Sequence, residues 1–201
     1  MREGRIDSRR LVTDQAIVDV VMSHTPRRVL DLGCGEGWLA RRLSGLGVAV
    51  VGVDVMPALI AAATSAGGGD FHVMSYADLA AGQLADRFDL IVSNFALLGK
   101  LSVEHLIRRT PDLLHPHGTL VIQTLHPLMA SEHLPYQDGW REGSWAGFDA
   151  SFADPAPWYF RTLESWTGLI HDSGLHLRAL HEPIHPHTGR PASVILVAHR
   201  A

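Results

Sequence analysis

Val29-Leu30-Asp31-Leu32-Gly33-Cys34-Gly35-Glu36-Gly37 runs an apolar strand into a loop with glycine at every second position. Val50-Val51-Gly52-Val53-Asp54 then forms a second apolar run that ends on an acid. Glycines at 33, 35 and 37 let the backbone turn tightly and approach a ligand with no Cβ in the way. A carboxylate at the end of the following strand suits the two hydroxyls of a ribose. The pair implies a site for an adenosine-containing cofactor.

The spacing narrows the choice. Dinucleotide sites read G-x-G-x-x-G, with a third glycine where strand and helix pack closely. That position is Trp38 here, which disfavours a nicotinamide dinucleotide. The loop instead reads G-x-G-x-G, with Asp31 two residues before the first glycine. It resembles motif I of the class I S-adenosylmethionine-dependent methyltransferases, (D/E)-x-G-x-G-x-G. The resemblance continues through Asp54, through Phe88-Asp89-Leu90-Ile91-Val92-Ser93-Asn94 and through His115-Pro116-His117-Gly118-Thr119-Leu120-Val121-Ile122. It spans about residues 10–125, and the order of four motifs is part of the match.

The resemblance implies an α/β fold: a Rossmann-like seven-stranded, mostly parallel sheet with helices on both faces and an antiparallel last strand. It also implies S-adenosyl-L-methionine as cofactor and a role for each matching residue. Gly33, Cys34, Gly35 and Gly37 would meet the amino acid part through backbone N–H groups and a helix N-terminus. Asp54 would hold the ribose, and Val55 and Met56 would cover a face of the adenine. Asp31 would order the loop or reach the cofactor through water. Many family members carry an acid after the third strand for the adenine amino group. This chain departs from that pattern, aligning Ser75 or Tyr76 there, with Asp78 as an alternative acceptor or a helix N-cap. Asn94 and Phe95 would lie near the cofactor's amino group. Arg10, ahead of Arg9, would pair with its carboxylate from an N-terminal arm. The N/D-P-P-Y/F/W motif of enzymes that methylate exocyclic amines of nucleic-acid bases is replaced by Asn94-Phe95-Ala96-Leu97.

The elements that must position these residues follow from the pattern of apolar residues. Ile17, Val18, Val20 and Val21 form a helical face that Thr13 or Asp14 would cap and Pro26 would end. Strands are expected at 28–32, 48–53, 71–74, 88–93 and 119–124. Helices are expected at 38–44, from Pro57 to the triple glycine at 67–69, and at 102–114, where Pro111 would break or kink the last. This alternation argues a parallel sheet covered on both faces. A helix at 161–173 and a strand pair at 175–180 and 193–198 complete the chain. The organisation expected is one domain over 1–201, with an N-terminal arm and helix at 1–24 and an acceptor-side lid at 126–160.

That lid carries three of the five tryptophans and no clean period. Long irregular segments in compact domains are often binding loops. Tyr136, Trp140, Arg141, Trp158, Tyr159 and Arg161 are its candidate acceptor contacts. The aromatics would form a wall, and the hydroxyls and guanidinium groups would orient a small substrate. His126, where the chain leaves the fifth strand, is a candidate general base or a histidine that holds the loop. His115-x-His117 and His185-x-His187 have spacing a metal can use, but no cysteine or carboxylate cluster completes a shell, so no metal site is expected.

Composition limits the function classes. The 201 residues are 46% hydrophobic and 19% charged, ordinary for a globular chain. A net charge of −4 gives no basic footprint for nucleic acid. The single cysteine, Cys34, forms no internal disulfide and favours a reducing, cytoplasmic setting. The first residues lack the apolar stretch of a signal peptide, and no run is long enough to span a membrane. The expectation is a methyltransferase acting on a small-molecule acceptor. A non-catalytic cofactor- or partner-binding module of the same fold is the alternative, and an NAD(P)-dependent oxidoreductase is less favoured. Oligomeric state has no signature in the sequence.

Overall fold

The computed structural model describes residues 12–131, 134–143 and 157–200. Seven strands form one sheet: β1 (Arg28–Leu32), β2 (Ala49–Asp54), β3 (Asp70–Val73), β4 (Phe88–Asn94), β5 (Leu114–Thr124), β8 (Leu175–His181) and β9 (Val194–Arg200). A separate hairpin is made by β6 (Gly139–Arg141) and β7 (Trp158–Phe160). The sheet order is β3-β2-β1-β4-β5-β9-β8. β1 to β5 pair in parallel, and β9 runs antiparallel to both β5 and β8. The expected sheet, with its antiparallel last strand, is the one observed.

Alternation along the strands divides the apolar side chains between two layers. Val29, Leu90, Val92 and Val121 face α1 (Asp14–Ser23) and α2 (Trp38–Ser44), with Ile17, Val21, Leu39 and Leu43 opposite them. Leu30, Leu32, Ile91, Leu120 and Ile122 face the other way. They meet Leu79 of α4 (Tyr76–Ala80), Leu106 and Ile107 of α5 (Leu101–Leu113), and Trp166 and Ile170 of α7 (Leu163–Asp172). Burying a Leu or Ile side chain contributes about 1.5–3 kcal/mol. A charge on either face of β1 or β4 would therefore be excluded unless it had a purpose there.

Two expectations need correction. Pro111 does not break α5, which continues to Leu113. Proline removes the N–H that would serve the Ile107 carbonyl, and the Thr110 hydroxyl donates to that carbonyl at 2.7 Å instead. β5 starts earlier than expected, at Leu114, because residues 114–118 pair irregularly across a bulge beside β4. His115 and His117 therefore sit on a strand, with His117 at φ 63°.

Between β5 and α7 the chain forms the short helix α6 (Pro127–Ala130) and the β6–β7 hairpin, so part of the expected irregular lid is regular. α3 (Pro57–Ala66) carries proline in its first turn and stops at Gly67, φ 74°. Among the described residues no helix is long and apolar enough to cross a membrane.

Candidate active site

Sheet order reverses between β1 and β4, so the loops after their carboxyl ends diverge and leave a crevice. The glycine loop lines it. Gly33, Gly35 and Gly37 all have positive φ, at 71°, 57° and 79°. A Cβ on Gly33 would lie 2.3 Å from the Ala96 Cβ and 2.8 Å from the Tyr76 hydroxyl. One on Gly37 would lie 2.9 Å from the Phe71 ring. Above Gly35 there is open space. Gly33 and Gly37 are thus required for packing, and Gly35 is the glycine that leaves room.

The loop's amides differ from expectation. Gly33 and Cys34 both donate to the Val53 carbonyl, at 2.8 and 3.0 Å, and Gly37 donates to the Cys34 carbonyl at 3.0 Å. Gly35 donates to Asp54 Oδ2 at 3.0 Å. These four N–H groups are satisfied within the protein because the tight turn folds the loop back on β2. They are not a free anion cradle.

Asp54 joins the two loops of the crevice. Oδ2 takes the Gly35 amide and Oδ1 accepts from Met56 N at 2.9 Å. A carboxylate has about four acceptor positions, so room for two hydroxyls remains. Beside it Val55 and Met56 are 59% and 53% exposed, an apolar shelf at the end of β2.

Asp31 is the charge that an apolar layer should exclude. It is 2% exposed, and Oδ2 has no hydrogen-bond partner. Burial, and then the neighbouring Asp54 carboxylate, raise its pKa from 3.8 to about 7. Burial also pushes up the Cys34 thiol and the Tyr76 phenol, so neither ionises near neutrality.

Ser75 begins α4 as part of a reciprocal cap. Its hydroxyl accepts from Asp78 N at 3.1 Å, and Asp78 Oδ2 accepts from Ser75 N at 2.9 Å and from the Ser75 hydroxyl at 2.7 Å. Asp78 is therefore the third helical residue of that cap rather than the N-cap itself. The Ser75 hydrogen bonds hold its carboxyl below the ordinary range. Tyr76 donates to the Ala96 carbonyl at 3.2 Å, across the crevice from α4 to the loop after β4.

That loop leaves β4 through Asn94 and Phe95, the latter at φ 54°. Asn94 Oδ1 accepts from Gln123 Nε2 at 2.7 Å, and Phe95 N donates to the Gln123 carbonyl at 2.8 Å. Gln123 also donates to the Thr13 carbonyl at 3.0 Å and accepts from the Ser193 hydroxyl at 3.1 Å. This buried glutamine fixes the start of α1 against the ends of β4 and β5. Thr13, expected as a candidate cap, makes no side-chain capping bond. The one sequence signal for Gln123 is a polar residue that follows the apolar run Leu120-Val121-Ile122 of β5. Arg10 lies outside the described residues.

The acceptor-side candidates cluster on the hairpin. Tyr159 N donates to the Leu98 carbonyl at 2.7 Å, fastening β7 to the loop after β4. The Trp140 and Tyr159 rings pack edge to face at 5.5 Å, and Trp158 packs on Phe160. Arg141 donates to the Pro135 carbonyl at 2.6 Å and covers the Phe160 ring. The Tyr136 hydroxyl accepts from Leu163 N at 2.9 Å at the start of α7. Arg161 is 3% exposed and donates to the Lys100 carbonyl at 2.9 Å. Tyr159 and Arg161 are thus tied to the loop after β4, Trp140 and Trp158 pack on hairpin rings, and the polar atoms of Tyr136 and Arg141 serve α7 and the chain ahead of β6.

His126 is buried where the chain leaves β5. Its Nε2 lies 2.8 Å from Glu182 Oε1, and Nδ1 has no partner. Glu182, just beyond β8, had no motif to reveal it. His185 and His187 pack ring on ring at 5.4 Å, and no metal-binding group of three or more ligands occurs among the described residues.

Residues 12–180 match the family described as a methyltransferase domain. A ubiquinone biosynthesis O-methyltransferase of Azorhizobium caulinodans is 32% identical over 107 residues, covering 52% of this chain and 42% of that protein. A malonyl-[acyl-carrier protein] O-methyltransferase of Enterobacter lignolyticus is 33% identical over 129 residues, covering 61% and 49%. The chain spans about half or less of the length of these curated relatives. An S-adenosylmethionine-dependent methyltransferase from Mesorhizobium loti superposes with a TM-score of 0.68 at 24% identity, covering 90% of this chain and 96% of that one. One from Listeria monocytogenes gives 0.71 at 18%, covering 87% and 91%.

Proposed function

The chain belongs to the methyltransferase domain family, and from that premise we propose that it transfers a methyl group from S-adenosyl-L-methionine to a small-molecule acceptor. The observation that carries this is Asp31. A buried carboxylate beside a second carboxylate, with one oxygen unpartnered, calls for a cationic ligand. S-adenosylmethionine carries a sulfonium and an ammonium, whereas a dinucleotide brings phosphates into the same negative field.

The residues fit the group. Asp54 accepts from the ribose hydroxyls on the lone pairs left by Gly35 and Met56. Val55 and Met56 shelve the adenine, with Ser75 and Tyr76 at its edge. The room above Gly35 admits the methionine portion beside Cys34, toward Asn94 and Phe95. The bound cofactor supplies a methyl already activated for displacement, so the protein's task is to align the acceptor in line and exclude water. Trp140, Trp158 and Tyr159 serve that exclusion from the hairpin. For an acceptor that must lose a proton, His126 accepts it at Nδ1, while Glu182 holds the ring from Nε2.

We assign the work to the cytoplasm, with no nucleic acid or membrane partner, on the support of the −4 net charge and the single buried thiol. The domain is read as continuous over 1–201, with the arm at 1–24 and the lid at 126–160. Calorimetry with S-adenosylmethionine, S-adenosylhomocysteine and NAD is the first test. The sulfur cofactors bind and NAD does not. Incubating metabolite pools with methyl-labelled S-adenosylmethionine then reads transfer, and binding without transfer to any acceptor would leave a binding module.

A further inference from the structure

Arg161 lies deep in the molecule without a full set of partners. Its side chain is 2% exposed. The Tyr159 and Trp166 rings lie 4.9 and 5.0 Å from its central carbon, so aromatic groups occupy the space beside the guanidinium. Nη2 donates to the Lys100 carbonyl, and Nη1 is buried with no partner. Leaving a charged donor unpaired in the interior is costly.

Glu104 Oε1 lies 3.9 Å from Arg161 Nη2 and 3.4 Å from Lys100 Nζ. Lys100 Nζ stands 5.5 Å from the Tyr159 ring. Asp138 adds a second negative charge near Arg161, but its oxygens accept from Thr162 N and the Ser165 hydroxyl, so Nη1 is still left without an acceptor. The side chain of Lys100 is 41% exposed and marks the side from which solvent reaches the cluster.

The cluster is joined to the crevice through one short loop. Ala96 packs against Gly33, the Leu98 carbonyl takes the Tyr159 amide, and the Lys100 carbonyl takes Arg161. Lys100, whose carbonyl holds Arg161, lies four residues along the chain from Ala96.

Resting on the methyltransferase reading above, we propose that the acceptor carries a carboxylate, bound by Arg161 Nη1 with Lys100 at its outer side. A carboxylate offers Nη1 the acceptor it lacks, in a charge-assisted hydrogen bond. Glu104 and Asp138 already offset Arg161 and Lys100, so a dianionic phosphate would add two negative charges to the cluster where a carboxylate adds one. Arg161 accordingly determines which acceptors enter and does not take part in bond making.

The probe is benzoate, set against benzamide and phenyl phosphate and titrated by calorimetry into the protein, both free and loaded with S-adenosylhomocysteine. Benzoate binds at least about tenfold more tightly than either analogue. Lys100→Met, an exposed change, weakens benzoate severalfold and leaves S-adenosylhomocysteine affinity unchanged. Glu104→Gln removes the competing acid and strengthens benzoate severalfold, a gain that a purely structural arginine would not give. Benzoate bound no better than benzamide, or unaffected by both substitutions, overturns the proposal and makes Arg161 a strut of the hairpin. Preference for phenyl phosphate overturns the carboxylate assignment. Failure of S-adenosylhomocysteine to bind counts against the methyltransferase reading alone, because the titrations of the free protein still decide the anion site.

Discussion

The Gly35 amide donates to Asp54 Oδ2 over 3.0 Å, so the loop after β1 is tied to the carboxylate that ends β2. With Met56 N on the other oxygen, one side chain sets the positions of both loops that face the crevice. Asp54→Ala removes that tie together with the proposed acceptor for two ribose hydroxyls. Stranding such groups costs about 1–3 kcal/mol. Calorimetry on a folded variant should show S-adenosylmethionine bound about tenfold more weakly or worse. Unchanged affinity would remove Asp54 from the site.

Asp31 predicts a pH dependence. Its pKa in the folded protein is raised from 3.8 to about 7, so folding favours the protonated form. The stability it contributes is fully present below pH 3.8 and is lost as pH rises through about 7. Asp31→Asn keeps the shape without the titration. Melting curves of the two proteins should diverge from about pH 4 to about pH 7, the wild type losing ground. A cation bound beside Asp31 favours its ionised form, so S-adenosylmethionine affinity should rise with pH in that range for the wild type and stay flat for the variant. Parallel pH curves would place the cation elsewhere.

Ser75→Ala removes the hydroxyl half of the cap that opens α4 and leaves the amide of residue 75 on Asp78. N-cap replacements of this kind cost about 0.5–2 kcal/mol. Chemical denaturation should report a lower midpoint with an unchanged slope. A midpoint equal to that of the wild type would mean that Asp78 alone holds the turn.

Trp140 is 60% exposed and pairs with Tyr159 at the middle of the hairpin, ring against ring. Once an acceptor is known, Trp140→Ala and Tyr159→Leu should raise its KM or lower kcat severalfold. Donor affinity should change by less than about twofold, since neither side chain lies on the β2 side of the crevice. Equal loss of donor and acceptor binding would put the hairpin over the cofactor.

The glycine loop, the acid that ends β2 and the succession of strands along the chain were legible in the sequence because each is local, and the resemblance implied the sheet they form. A strand declares itself through a few consecutive apolar residues, and a left-handed turn through its glycines. Pro111 misled for the same reason. The rule that proline ends a helix is local, while the repair by the Thr110 hydroxyl depends on how the last turn closes.

The amino-acid order alone thus determined the doubly covered parallel sheet, the crevice at its reversal and the residues that line the β1 and β2 ends. Tertiary structure decided which polar groups found partners. Thr13 and Gln123 meet across 110 residues, Lys100 and Arg161 across 61, and His126 and Glu182 across 56. No periodicity links positions so far apart. Their pairing follows from the layering of helices and loops, which brings distant polar atoms into a low-dielectric interior where a missing partner is expensive. Asp31 Oδ2 and Arg161 Nη1 are left without one by the same layering, and on those two atoms rest the cation and the anion proposed for the site.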